Sequence, residues 1–397
     1  MKNIFVIVIL GFFVLGCTAE QRTRRLSQDG STAESVFLTH DQNKNPVVVW
    51  TEKDKDQLAL FFAVSNDDGK SFSDKVRLPL ERGVATHAEG MPKVAFKKDG
   101  TIIVAYEKKA PAKENKYAGA IYYVVSTDGG SSWTNEAFLH SDTISGRSRS
   151  YFDLEVLPDG EVGASWLDIK LNNETGGRSV RFARTSQAEG FGNEILVDSS
   201  ACQCCRIDIS TDDAGNIFVA YRGLAKGKMG KQIRDMMIST STDQGASFSS
   251  PVVISADNWN IDGCPHTGPT LCSNKAGLFS LWYTEGTGTG IYYARRSKSE
   301  SQFSERELVS GDGRHPQLCA SGDRIAMLWE ENHEIDGSAH TVIHYRIVKD
   351  GSDLEKNLLT DANGNAFLPV VTKTRNGFLV AYLMETDKGV GVFSRSL

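Results

Sequence analysis

Ser126-Thr127-Asp128-Gly129-Gly130-Ser131-Ser132-Trp133 is the stretch on which the fold is decided. It returns as Ser65-Asn66-Asp67-Asp68-Gly69-Lys70-Ser71-Phe72 and as Ser241-Thr242-Asp243-Gln244-Gly245-Ala246-Ser247-Phe248. The shared pattern is Ser-x-Asp-x-Gly-x-Ser-aromatic. Asp and Ser side chains bond the backbone of their own turn. Gly supplies the positive φ of a tight hairpin turn. The aromatic folds back as an apolar plug. Each copy follows a short apolar run, so each turn closes a strand.

The turn belongs to a unit of roughly fifty residues that recurs along the chain. Each unit has a second strand ending in an aromatic. These are Val47–Trp50, Ile103–Tyr106, Val162–Trp166, Ile217–Tyr221, Leu278–Trp282, Ile325–Trp329 and Phe378–Tyr382. Their β-branched content and alternation fit strands, and helical periodicity is absent. The last unit stops at Leu397, after its third strand. Thr23-Arg24-Arg25-Leu26-Ser27 reads like the fourth strands elsewhere, such as Arg306–Ser310. The expected architecture is all-β: a β-propeller of four-stranded blades, seven by this count and six as the alternative. An N-terminal strand closes the ring, which removes exposed edges.

The repeated turn resembles the Asp box, or bacterial neuraminidase repeat, of the sialidase superfamily. That resemblance implies a propeller with the box between the two outer strands of a blade. It further implies a sugar-carboxylate clamp of arginines, a Tyr–Glu nucleophile pair and an Asp acid/base. Planar guanidinium groups suit a carboxylate because they bond it bidentately. Arg149, Arg206, Arg222, Arg234 and Arg314 are the clamp candidates here, with Asp235 and His315 as further ligand contacts. Tyr283 with Glu285, or Tyr106 with Glu107, is the nucleophile pair, and Asp168 or Asp208 the acid. The family's early aromatic-Arg-Ile-Pro motif is absent; the first unit offers Lys44-Asn45-Pro46. Glycoside hydrolysis of exo-α-sialidase type and non-catalytic binding or scaffolding therefore both stand as readings. The implied partner is an anionic glycan or other carboxylate-bearing ligand.

Ala201-Cys202-Gln203-Cys204-Cys205-Arg206 precedes the inner strand of unit four, and Gly263-Cys264-Pro265-His266-Thr267-Gly268-Pro269 that of unit five. Adjacent units put these loops side by side. The plain reading is a disulfide from unit four to Cys264. The alternative is a Cu or Zn site from Cys202, Cys204, Cys205, Cys264 and His266, since thiolates and imidazole suit soft metals. Cys272 and Cys319 take equivalent inner-strand positions as small buried residues.

The chain has 397 residues and a net charge of −6, with no Lys/Arg-rich block, which argues against nucleic acid as a partner. Met1-Lys2-Asn3 precedes an apolar run from Ile4 to Leu15, too short to span a bilayer comfortably. Val14-Leu15-Gly16-Cys17 resembles a bacterial lipobox. The expected layout is a signal peptide over 1–16, a lipidated Cys17 with tether and closing strand over 17–34, and one propeller over 35–397. Such a protein is exported and anchored to a bacterial membrane by lipid alone.

Overall fold

A computed structural model of the chain describes residues 23–397, apart from residues 56, 79, 81, 82, 172, 173, 188, 228, 229, 262, 350, 351 and 354. Residues 1–17, where the sequence suggests a signal peptide and a lipidated Cys17, lie outside the described residues. Among those described there is no α-helix. Seven antiparallel sheets of four or five strands form the blades of a ring. The inner strands are Ala33–His40, Lys93–Phe96, Ser150–Val156, Asp208–Thr211, Thr270–Asn274, Arg314–Ser321 and Ala366–Lys373. We number the blades one to seven in that order. Each inner strand touches the next, and blade seven touches blade one. The blade count is therefore seven, not six.

The ring closes through the N-terminus. Arg24 pairs with Ser394 and Arg25 with Phe393, making this segment the fourth strand of blade seven. Leu26 N donates to Val392 O at 2.8 Å, and Val392 N donates to Ser27 Oγ at 3.0 Å. The segment covers the edge of Gly389–Ser396 at Val392, Phe393 and Ser394.

The core is divided among the blade interfaces. The pleat turns alternate residues of each strand to the two sheet faces, so a strand buried on both sides reads as a continuous apolar run. Val47 and Val49 face blade two, whereas Val48 and Trp50 face blade seven. Every second strand carries an aromatic with a polar tip: Trp50, Tyr106, Trp166, Tyr221, Trp282, Trp329 or Tyr382, all at most 1 % exposed. Burial of a ring this large stabilises by about 2–3 kcal/mol, provided the tip finds a partner. The partner is a carboxylate in six blades. Glu52, Asp168, Asp257 and Glu331 accept from the indoles of Trp50, Trp166, Trp282 and Trp329 at 2.6, 2.7, 2.8 and 2.7 Å. Asp198 and Glu136 accept from Tyr221 and Tyr106 at 2.8 and 2.5 Å. In blade seven the closing segment supplies Thr23 to Tyr382.

The three repeated turns share one hydrogen-bond pattern between third and fourth strands. Gly69, Gly130 and Gly245 N donate to Ser65, Ser126 and Ser241 Oγ at 2.7, 2.9 and 2.8 Å. Ser71, Ser132 and Ser247 N donate to Asp67, Asp128 and Asp243 Oδ1 at 2.7, 2.8 and 2.9 Å. The aromatics plug the seam with the preceding blade. Phe72 packs on blade seven, Trp133 on blade one, and Phe248 on Phe182 of blade three at 5.1 Å between centroids.

Candidate functional site

Strand direction sets the place of the site. Loops after second strands and loops entering inner strands open at one end of the channel, the mouth. The repeated turns lie at the other end. In blades three, six and seven the inner strand starts at the mouth with a β-bulge. Each bulge holds a non-glycine residue in the left-handed region: Tyr151 (φ 57°), His315 (φ 47°) and Leu368 (φ 52°). Bulges re-aim side chains, and a residue held this way costs about 1–3 kcal/mol that the surroundings must offset. Carboxylates from preceding blades hold two of them. Glu107 accepts from Tyr151 N at 2.6 Å, and Glu330 from Leu368 N at 2.8 Å. Burial pushes Glu107 up to about 7. The other oxygen of Glu330 meets His315 Nδ1. Burial acts to lower the His315 pKa, but that carboxylate outweighs it and the net shift is upward.

Four of the five candidate arginines are buried and engaged inside the protein. Arg149 lies against Asp142 at 2.6 Å and Asp168 at 3.4 Å. Arg206 meets Glu89 at 3.2 Å and donates to Pro316 O at 2.7 Å. Arg222 donates to Thr267 O at 2.9 and 3.1 Å, to Arg234 O at 2.9 Å and to Tyr283 O at 2.8 Å. Its guanidinium also sits 4.5 Å from the Trp259 ring centroid. Arg234 donates to Ile261 O at 2.6 Å and to Gln232 at 2.9 Å. These are braces between blades and loops. Arg178, not singled out in the sequence, is another: it donates to Asp168 O at 2.8 Å and Ser148 O at 2.7 Å. Arg314 alone of the five is exposed.

The acids divide similarly. Asp168 is occupied by Trp166 and Arg149. Asp208 lies on the inner strand of blade four and accepts from Leu271 N. Burial, with Asp153 beside it, pushes Asp208 up to about 8. Asp235 accepts from Asn258 and Trp259 N, both at 3.1 Å, and so orders the loop that carries Cys264. Tyr283 and Glu285 are brought together: Tyr283 Oη donates to Glu285 at 2.5 Å. Glu285 is exposed and Tyr283 half-buried, edge-on to Trp259 at 5.9 Å. Burial and then Glu285 push the Tyr283 phenol up to about 12. Tyr106 instead bonds Glu136, while Glu107 holds Tyr151.

The two cysteine segments meet at the mouth. Cys204 and Cys264 form a disulfide with 6.2 Å between Cα atoms, and His266 is exposed beside it. Cys202 and Cys205 are free thiols, buried against Tyr151. A hydrogen bond from Cys205, with Arg222 and Arg234 nearby, lowers the Cys202 pKa; burial and then Cys202 raise that of Cys205. A cleft of about 760 Å³ lies elsewhere, between blades five and six. It is lined by Asn274, Ala276 and Gly322 from the turns at the opposite end.

Solved structures share this architecture. The BP39L lectin from Burkholderia pseudomallei superposes with a TM-score of 0.56 at 11% identity, over 92% of this chain and 95% of that one. The polysaccharide lyase Uly1 gives 0.54 at 10% identity, over 92% and 90%. The GH93 α-L-arabinofuranosidase of Fusarium graminearum, with arabinobiose, gives 0.51 at 12% identity, over 80% and 93%. The chain has the fold of these β-propellers. The resemblance carried by the three repeats holds at the level of fold. No family model and no curated protein matches the chain.

Proposed function

We propose that the protein binds a carbohydrate at the channel mouth, and that the sugar is anionic. The observation that carries this reading is the Tyr283–Glu285 pair, open to solvent, with the Arg314 charge acting on the phenol. A half-exposed ring offers a face to a sugar, a carboxylate accepts from its hydroxyls, and an exposed guanidinium meets an acidic group. The lectin and the arabinobiose complex among the fold relatives are consistent with sugar binding here. An array of neutral and acidic glycans tests it. Acidic glycans are expected to bind and to lose at least tenfold in affinity with Arg314→Ala. Binding to none, or only to neutral ones, contradicts it.

Hydrolysis is the second reading, and the short Tyr283–Glu285 hydrogen bond favours it. A carboxylate so placed can take the phenol proton as Tyr283 attacks an anomeric carbon. Turnover of a fluorogenic sialoside, abolished by Tyr283→Phe, supports hydrolysis; no turnover leaves a binding protein. Export and a lipid on Cys17 belong to the same proposal. Fatty-acid labelling that is lost in Cys17→Ala supports the anchor.

A further inference from the structure

The turn Cys202-Gln203-Cys204-Cys205 buries three sulfur atoms in one place. Cys202 Sγ lies 4.0 Å from Cys204 Sγ and 3.9 Å from Cys205 Sγ, and all three lie within 4.8 Å of one another. Thiolates bound to one soft ion at about 2.3 Å stand about 3.8 Å apart in a tetrahedral site and about 4.0 Å apart in a trigonal one. The Cys202 sulfur thus stands at ligand-set spacing from the other two, with Cys204 held in its disulfide. A second set, Cys204, Cys264 and His266, shares one sulfur with the first.

The charges nearby favour an anionic cluster. Arg222 and Arg234 are buried. Their hydrogen bonds go to backbone carbonyls and to Gln232. Cys202 N donates to Arg222 O at 2.7 Å, which sets the cysteine turn beside that residue. A monovalent ion with three thiolates carries two negative charges, which buried cationic side chains in this part of the fold help to offset. Buried charge is tolerated where it is compensated in this way.

One donor of the three is occupied by the Cys204–Cys264 bridge. Cys264 is exposed and Cys204 buried, so an external dithiol reaches the bridge at Cys264. Its thiolate bonds Cys264 Sγ, and Cys204 leaves as a thiolate. The second thiol then displaces Cys264, and the reductant departs as its own disulfide. Two electrons have passed to the protein, and Cys204 is free to join Cys202 and Cys205.

We propose that this turn is a reduction-gated site for one soft metal ion, Cu(I), held by the thiolates of Cys202, Cys204 and Cys205. Cu(I) favours such ligands through its softness. The test titrates Cu(I) anaerobically into the full chain against a chromophoric chelator. Oxidised wild type should take up no tightly bound ion; dithiol-reduced wild type should take up one. Cys264→Ser frees Cys204 and should bind one Cu(I) without reductant. Adding Cys202→Ser or Cys205→Ser should weaken that binding at least 100-fold, while adding Cys319→Ser should not. X-ray absorption of the loaded protein should show three sulfurs at about 2.3 Å. Should Cys264→Ser fail to fold, reduced wild type against reduced Cys202→Ser makes the same comparison. Equal affinity of oxidised and reduced wild type overturns the proposal, as does binding indifferent to Cys202.

Discussion

The guanidinium of Arg206 in blade four and the carboxylate of Glu89 in blade two meet across the mouth, Nη1 to Oε1 3.2 Å apart. Glu89 also accepts from Gly268 N of the loop entering blade five at 2.7 Å. One buried acid therefore ties three blades. Removing it leaves Arg206 buried without its counter-charge, which costs about 3–5 kcal/mol. Glu89→Ala should lower the urea midpoint accordingly, and Glu89→Gln should lower it less. A midpoint unchanged by Glu89→Ala shows that the pair braces nothing.

Ring closure rests on the N-terminal segment. Deleting residues 23–27 removes the pairing with Ser394 and Phe393, the Ser27 contact and the Thr23 partner of Tyr382. It also bares the edge of Gly389–Ser396, a template for association. The shortened protein should melt several degrees lower and aggregate on concentration, as read by calorimetry and light scattering.

Glu331 gives the fold an acid limit. Burial alone raises its pKa, but Lys356, Ser310 and Trp329 outweigh it and hold the carboxyl at about 2. The folded value is below the unfolded one, so the stabilisation is complete above about pH 4.3 and is lost as pH falls through about 2. Glu331→Gln should be less stable than wild type at pH 7, and the difference should shrink towards pH 2. A constant difference across that window contradicts the assignment.

Gly69 has φ +86°, and a Cβ there meets Leu379 Cδ1 of blade seven at 2.5 Å. Gly69→Ala should therefore cost more than about 1 kcal/mol, since an L side chain is strained there and the seam must open. Gly129→Ala, at φ +71° with open space, should cost less. Equal midpoints in thermal unfolding exclude the packing argument.

Much of the architecture was legible in the chain. Three repeats fixed the turn, seven aromatic-ended runs gave the blade count, and Thr23–Ser27 read as the missing strand. Loop adjacency pointed to a bridge from unit four to Cys264, but not to Cys204 rather than Cys202 or Cys205 as its partner. The roles of the arginines were not legible, because residue type does not reveal whether a guanidinium meets a ligand or a carbonyl. Arg222 satisfies itself on Thr267, Arg234 and Tyr283 backbones, 12 to 61 residues away. Glu89 and Arg206 are separated by 117 residues. The acids at Glu52, Asp168 and Glu331 did carry a signal. Each follows a tryptophan by two residues, and a strand places such pairs on one face. The left-handed bulges at Tyr151, His315 and Leu368 left none, since tertiary contacts and not Gly or Asn hold them.

Hydrogen–deuterium exchange with and without a bound acidic glycan locates the binding face. Exchange should slow at the mouth, in residues 257–261, 263–268, 283–288 and 312–316. Protection confined to the cleft between blades five and six, around Asn274, Val309 and Gly322, would contradict it.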